Sequence, residues 1–151
     1  SVANNYGRNL GGEFNFSTPD GKIRTNIGLM QSYKNGFTNK NQHLYGRFDY
    51  DGQNFRTFLT VQHLGKNYFA DMGFNGRLVN FNPETNESIR VGYTQIGNML
   101  NYYIYPKDSK KVNFHWSGAE NFVYINDNAN GLTEWYTRLR HFIFFQNNPL
   151  V

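Results

Sequence analysis

Apolar and polar residues alternate along the first part of the chain with a period of two. The stretch from Phe55 to Leu64 shows the pattern most clearly, with apolar or threonine side chains at every second position and polar ones between most of them. Similar alternation runs through Leu10–Ser17, Ile23–Tyr33 and Gln42–Tyr50. A period of two is typical of β-strands whose two faces meet different surroundings. We therefore predict four strands over these segments.

The second half of the chain predicts further strands with less regular spacing. They cover Arg77–Asn82, Ser88–Thr94, Met99–Tyr105, Val112–Ser117, Asn121–Asn126 and Trp135–Gln146. The alternation changes phase around Gln95, Ile96 and Gly97, which predicts a β-bulge there. One strand over Val112–Asn126, interrupted at Gly118, is the alternative to two shorter strands. We find no segment that combines helical periodicity with capping residues.

Short groups of turn-forming residues separate the predicted strands. They are Pro19-Asp20-Gly21, Asn35-Gly36, Asp51-Gly52, Asn75-Gly76, the run from Asn82 to Asn86, and Asn130-Gly131. These residue types tolerate the tight or left-handed backbone of hairpins. The sequence thus predicts an all-β chain that forms an antiparallel up-and-down meander and a single domain over 1–151. Because closure removes exposed sheet edges, we expect a membrane β-barrel or a segment of a larger one.

Composition favours lipid over water as the surroundings of the apolar face. Hydrophobic residues make up 38% of the chain and aromatic residues 18%, while charged residues reach 17% against about 25% in soluble domains. No stretch approaches the roughly 20 apolar residues of a membrane-spanning helix, whereas a barrel strand needs only about ten residues with one apolar face. Tyrosines near the strand ends suit an aromatic girdle. A soluble β-sandwich with the apolar face inside is the alternative.

Charge and motif content argue against several function classes. The net charge of +4 is dispersed rather than clustered, so we expect no nucleic-acid partner. The absence of cysteine excludes disulfide scaffolds and thiolate metal sites, and the four histidines lack chelating spacing. Neither a nucleophile motif nor a phosphate loop is present. We therefore expect no enzyme, no catalytic residue, no metal and no cofactor.

Charged residues on neighbouring predicted strands form the main candidate site. Five of them fall on the polar faces of the first four strands: Glu13, Arg24, Arg47, Asp49 and Arg56. We predict that they line a lumen, with cross-strand ion pairs worth about 0.2–1 kcal/mol each. A solute-selective or catalytic cluster is the alternative, since polar lumens carry such charges in any case.

Two tryptophans form a second candidate site. Trp116 and Trp135 are the side chains best suited to stack against sugar rings. The competing interpretation is a girdle or packing role, because tryptophan is common at membrane interfaces.

One segment of the chain resembles a known family. The sequence VQHLGKNYFADMGFNGR, Val61–Arg77, is similar to a stretch in a family of outer-membrane β-barrel proteins of Bacteroidota-type bacteria. Gly65, Tyr68-Phe69, Gly73-Phe74 and Arg77 occur in that family's order. The segments GGEFNFSTPDGKIRTNIGLMQSYKNG and NANGLTEWYTRLRHFIFFQNN resemble hairpins before and after it.

The resemblance implies a barrel of uncharacterised function that follows a domain similar to a carbohydrate-binding module. No such module precedes the strands here, and the chain ends in Pro149-Leu150-Val151 rather than a terminal aromatic strand, so we expect an internal barrel segment. The implied role is structural, transport or assembly-associated in the outer membrane of a Gram-negative bacterium. Its partners would be outer-membrane lipid, and polysaccharide or other outer-membrane subunits. A secreted, soluble β-sandwich that binds polysaccharide through exposed aromatic residues is the alternative.

Overall fold

The computed structural model describes residues 7–69, 76–128 and 131–146. These residues form β-structure, with one 3₁₀ turn, Gly76–Leu78, as the only helical element among them. The strands are β1 Gly7–Ser17, β2 Ile23–Lys34, β3 Gln42–Asp51, β4 Phe55–Leu64, β5 Val79–Asn82, β6 Glu87–Arg90, β7 Tyr93–Ile104, β8 Val112–Asn126 and β9 Glu134–Phe145.

Seven strands form one antiparallel sheet in the order β1-β2-β3-β4-β7-β8-β9, and β5 pairs with β6 in a separate hairpin. The all-β antiparallel meander is therefore confirmed. The sheet is open over the described residues, because β1 and β9 each have one neighbouring strand. Each strand of the large sheet runs opposite to its neighbours, so the connections 18–22, 52–54 and 105–111 lie at one end. The connections 35–41, 65–92 and 127–133 lie at the other end, called the long-connection end below.

Several local predictions need correction. The bulge expected at Gln95–Gly97 is wrong, because β7 keeps continuous register with both neighbours, and the irregularity lies instead between Val112 and Phe114. The strand expected over Ser88–Thr94 is two strands, since Val91 and Gly92 separate β6 from β7. Val112–Asn126 is a single strand without an interruption at Gly118. The predicted strand at Arg77 begins with a 3₁₀ turn.

The turn predictions around Gly21, Gly36 and Asn86 agree with the backbone. Gly21 and Gly36 have positive φ angles of 69° and 85°, which glycine adopts without steric cost. Asn86 also has a positive φ, of 55°, in the predicted Asn82–Asn86 turn. Some of the earlier assignments, namely Gly73-Phe74, Asn75, Asn130 and the residues after Gln146, lie outside the described residues.

Cross-strand register gives the large sheet two different faces. One, here called the apolar face, carries exposed aliphatic and aromatic side chains on every strand except β8: Leu10, Phe14, Phe16, Ile27, Leu29, Leu44, Phe48, Phe55, Leu59, Val61, Ile96, Leu100, Leu139 and Ile143. The opposite, polar-aromatic face carries charged, amide and ring side chains: Glu13, Asn15, Asn26, Tyr45, Arg47, Asp49, Arg56, Phe58, Gln95, Tyr103, Trp116, Glu120, Phe122, Tyr136, Arg138, Arg140 and Phe142.

This division corrects one physical expectation. The sequence predicts rings on the lipid side and polar groups on the other, but aromatic side chains occupy both faces. Tyr103, Trp116 and Phe142 stand in one cross-strand row of the polar-aromatic face. The aliphatic residues follow the expected segregation except at the long-connection end, where Met30 and Leu64 lie on the polar-aromatic face.

A small core covers the polar-aromatic face at the long-connection end. It joins side chains of β2, β4, β7 and β8 to the 65–92 connection: Met30, Leu64, Tyr68, Leu78, Tyr93 and Tyr124. Arg90 links the two ends of this connection, since its Nε donates to the carbonyl of Lys66 at 2.8 Å and its second amino group to that of Tyr68 at 2.8 Å. The packed interior of the described chain is therefore local, and the apolar face lies outside it.

Candidate functional site: the polar-aromatic face

The five predicted charged residues share one face of the sheet. Arg24 lies directly opposite Asp49, and the row containing Glu13 lies two rows farther along the strands. The side chain of Arg47 binds Asp49 through two hydrogen bonds of 2.8 and 2.7 Å. Arg47 also lies 4.4 Å above the ring of Phe58. The register thus places all five charged residues on one face of the sheet.

Asp51 completes the charged group, and the sequence reasoning missed it. Its carboxylate lies 2.8 Å from Nε of Arg56 and 3.9 Å from the guanidinium of Arg24. The sequence predicts Asp51 as the first residue of a turn, whereas it is the last residue of β3 and lies directly opposite Arg56. Extending the alternation by two residues from Asp49 would have placed it on this face.

Glu13 belongs to a second cluster, built across three strands in one row. Glu13, Gly28 and Tyr45 lie opposite one another on β1, β2 and β3. The hydroxyl of Tyr45 reaches across Gly28 and donates to Glu13 at 2.5 Å. The side-chain amides of Asn15 and Asn26 donate to the same carboxylate at 2.6 and 2.8 Å. The absence of a side chain at Gly28 leaves the space that the tyrosine ring occupies.

A row of rings fills the other half of the face. Trp116 stacks on Phe142 with 4.8 Å between ring centroids, and Tyr103 lies 6.0 Å away on its other neighbouring strand. Phe114 and Phe144 stack next to this row at 4.4 Å. Arg140 pairs with Glu120 beside the rings. Aromatic pairs in such arrangements add about 0.5–1.5 kcal/mol beyond area burial, so this half of the face is held by ring packing.

The two candidate sugar-stacking residues lie on opposite faces. Trp116 stands within the ring row, with neighbouring rings on β7 and β9. Trp135 lies on the apolar face opposite Val123 and is 70% exposed. The structure therefore does not combine the two tryptophans into one binding platform.

Polar side chains on the apolar face bind one another in directly opposed pairs. Asn121 donates to Asn98 at 3.0 Å and accepts from the hydroxyl of Thr137 at 2.8 Å. His63 and Thr94 form a second pair at 3.1 Å, and Ser117 and His141 form a third at 2.9 Å. These pairs were missed because they depend on the register between strands, which alternation within one strand does not give.

Two side chains of the 65–92 connection, those of Arg77 and Tyr68, contact the sheet at the long-connection end. Arg77 lies 3.7 Å above the ring of Tyr124, and its hydrogen bond to Glu134, at 2.8 Å, raises the pKa of Arg77. Burial raises the pKa of Tyr68, whose hydroxyl contacts the sulfur of Met30 at 3.6 Å. Both contacts fix the 65–92 connection to the sheet rather than forming a reactive group.

The described residues contain no group of three or more histidine, cysteine, aspartate or glutamate side chains arranged to hold a metal ion. Within the same ranges, no helix is long and apolar enough to cross a membrane. The chemistry available on the polar-aromatic face is hydrogen bonding, ion pairing and ring contact with polar solutes. Comparison with protein-family models, curated proteins and solved structures found no match to this chain.

Proposed function

We propose that this chain forms part of the wall of an outer-membrane β-barrel in a Gram-negative bacterium, with a structural, transport or assembly-associated role. In this arrangement the apolar face contacts lipid hydrocarbon and the polar-aromatic face turns toward the lumen. Glu13, Arg24, Arg47, Asp49 and Arg56 would line that lumen.

The exposed apolar face is the observation that carries the proposal. Leu29, Phe48 and Leu59 are 50%, 41% and 47% exposed although they lie in the interior strands β2, β3 and β4. Monomeric soluble proteins rarely expose contiguous apolar patches larger than a few hundred Å². A face with exposed apolar side chains on six of its seven strands needs a cover, and lipid hydrocarbon supplies one without a second layer of protein.

The polar pairs on the apolar face also support lipid contact. A polar group in hydrocarbon has no water to bind, and leaving it unpaired costs several kcal/mol. Asn98, Asn121 and Thr137 satisfy one another across three strands, and His63 pairs with Thr94. The hydroxyl of Thr57 donates to the carbonyl of Met99 at 2.8 Å. Such self-contained pairing suits an apolar solvent.

Strand dimensions are consistent with a bilayer. The strands of the large sheet have 10 to 15 residues, and a tilted membrane strand needs about 9–11. The longest connection, 65–92, lies at one end, while the shortest, 52–54, lies at the other. Outer-membrane barrels show this asymmetry, with short turns on the periplasmic side and longer loops outside.

The alternative function is a secreted β-sandwich that binds polysaccharide. The observation that favours it is Trp135, an exposed ring on the apolar face where a sugar could stack. A sandwich would require a second sheet against the apolar face. The described residues supply one large sheet and the two-stranded β5–β6 hairpin, so the second sheet would have to come from elsewhere.

Phe48→Arg tests the proposal against this alternative. Phe48 and Leu59 lie opposite each other on the apolar face, where an arginine at the bilayer midplane costs about 2–4 kcal/mol. We expect Phe48→Arg to destabilise the chain by that amount in phospholipid vesicles, measured by urea titration. The control Arg47→Ala, one residue away on the opposite face, removes an exposed ion pair and should cost roughly 1 kcal/mol or less. Equal tolerance of both changes in lipid would contradict the proposal, as would a monomeric chain that folds in water without detergent.

A further inference from the structure

Strand β9 is the most open part of the large sheet after β1. Eleven of its twelve residues are exposed, although β8 pairs with it along one edge. Leu139 and Trp135 on its apolar side are 79% and 70% exposed. An edge strand presents a row of unpaired backbone N–H and C=O groups, which is a template for another strand.

Strand β1 of the same chain cannot form an antiparallel pair with this edge of β9. All six pairings in the seven-stranded sheet are antiparallel, so chain direction alternates along it. With an odd number of strands, β1 and β9 point the same way. Direct closure of β1 onto β9 would create one parallel pair, whereas closed bacterial barrels are antiparallel with an even strand number. An odd number of further strands would restore that pattern.

Side chains along β9 indicate what kind of strand would fit. Arg138 lies opposite Glu120, but the carboxylate of Glu120 binds Arg140 instead. Among the described contacts, Arg138 has only the ring of Tyr136, 5.3 Å from its guanidinium. Phe142 stacks on Trp116 and is still 45% exposed. A strand carrying a carboxylate near Arg138 and a ring or aliphatic side chain near Phe142 would complement both.

The same charges disfavour a second copy of this chain. Antiparallel pairing of two β9 strands about a two-fold axis keeps both apolar faces on one side. When the two β9 strands overlap along most of their length, Arg138 of one copy lies opposite Arg140 of the other. In the neighbouring registers, Arg138 or Arg140 lies opposite the same residue of the second copy. Like charges directly opposite each other destabilise a sheet. The basic character of β9 therefore favours a different, acidic strand.

We propose that the edge of β9 left unpaired by the described strands is a strand-addition site for an antiparallel β-strand that carries a carboxylate opposite Arg138 and an apolar or aromatic side chain opposite Phe142. This inference goes beyond the membrane role, because an exposed strand edge is a template for pairing in lipid and in water alike. In strand addition, main-chain hydrogen bonds provide affinity, and the side chains at alternate positions provide specificity.

A peptide with the sequence of β8, Val112–Asn126, is a suitable probe, because β8 already presents Glu120 to Arg138 and Trp116 to Phe142. We expect it to slow amide hydrogen exchange of β9 in the folded full chain by about tenfold or more, while exchange of β4 stays constant. A Glu120→Lys version of the peptide should bind several-fold more weakly, since each cross-strand ion pair corresponds to roughly 1.5- to 5-fold in affinity.

Two variants of the chain keep the test specific. In the Arg138→Ala chain, the ratio of the affinities of the two peptides should fall toward one. The control Arg24→Ala should leave this ratio unchanged. Protection of β1 in place of β9, or equal binding of both peptides to the unmodified chain, would overturn the proposal.

The chain has no cysteine, so a Leu139→Cys variant tests whether a second copy of the chain pairs with β9. Disulfide dimers forming faster than with Leu59→Cys would assign the edge to self-association and also overturn it.

Discussion

The row of Glu13, Gly28 and Tyr45 gives a sharp test of how the sheet is packed. Replacing Gly28 by alanine would place a Cβ atom 2.5 Å from both Cε1 and the hydroxyl oxygen of Tyr45. Carbon atoms in contact lie about 3.5–4.0 Å apart, so the tyrosine ring must move away. That movement separates its hydroxyl from Glu13, to which it now donates at 2.5 Å. The variant therefore loses ring packing and a hydrogen bond together.

The size of the effect follows from this overlap. Forced displacement of a packed side chain costs typically about 1–3 kcal/mol. Gly46 is the matched control, because it lies on the next strand, on the apolar face, and an added Cβ there meets nothing within 4 Å. Alanine at such a position should stabilise by about 0.4–1 kcal/mol, since it restricts the unfolded chain. The two variants should thus differ by roughly 1.5–4 kcal/mol, with opposite signs.

Urea unfolding in detergent or phospholipid vesicles, followed by tryptophan fluorescence, measures both free energies of unfolding. Repeating the Gly28→Ala change in a Tyr45→Ala variant shows whether the tyrosine ring causes the loss of stability. In Tyr45→Ala the ring is gone, so Gly28→Ala should become neutral or stabilising, as a double-mutant cycle would show. An equal cost of Gly28→Ala with and without Tyr45, or equal destabilisation by Gly46→Ala, would refute this packing explanation.

Two further predictions concern other parts of the sheet. Asn121→Val removes the shared hydrogen-bond partner of Asn98 and Thr137. It should lower the free energy of unfolding in lipid by about 1–3 kcal/mol. A urea titration in vesicles that shows no change would argue against burial of these side chains in hydrocarbon. Hydrogen bonds from Thr18 and from the Lys22 amide lower the pKa of Asp20. Its contribution to stability is therefore present above the unfolded-state pKa and lost as pH falls through the folded-state pKa, so Asp20→Asn should flatten the acid limb of the stability–pH curve.

Much of the sheet could be predicted because side-chain alternation is a local property. The strands Gly7–Ser17, Ile23–Lys34, Gln42–Asp51 and Phe55–Leu64 agree with the predicted ones within a few residues, since each has a clear apolar period of two. The same alternation, together with hairpin connections between consecutive strands, also predicted that Glu13, Arg47 and the neighbouring charged residues lie on one face of the sheet.

Register was the information that local alternation lacked. The phase change near Ile96 suggested a bulge, but it reflects Asn98 on the apolar face, which a cross-strand partner, Asn121, makes tolerable. Aromatic rings in general were predicted to face lipid, yet those of Tyr103 and Trp116 pack against each other on the polar-aromatic face. Both errors arose because a polar or aromatic side chain takes its environment from the residue opposite it.

The two tryptophans allow the most direct measurement of which face meets lipid. Trp135 lies on the apolar face and Trp116 on the polar-aromatic face, so Trp116→Phe and Trp135→Phe each leave one reporter. In vesicles of phospholipid brominated along the acyl chain, the fluorescence of Trp135 should be strongly quenched and that of Trp116 little changed. Quenching of Trp116 but not of Trp135, or of neither, would contradict the assignment of the apolar face to hydrocarbon.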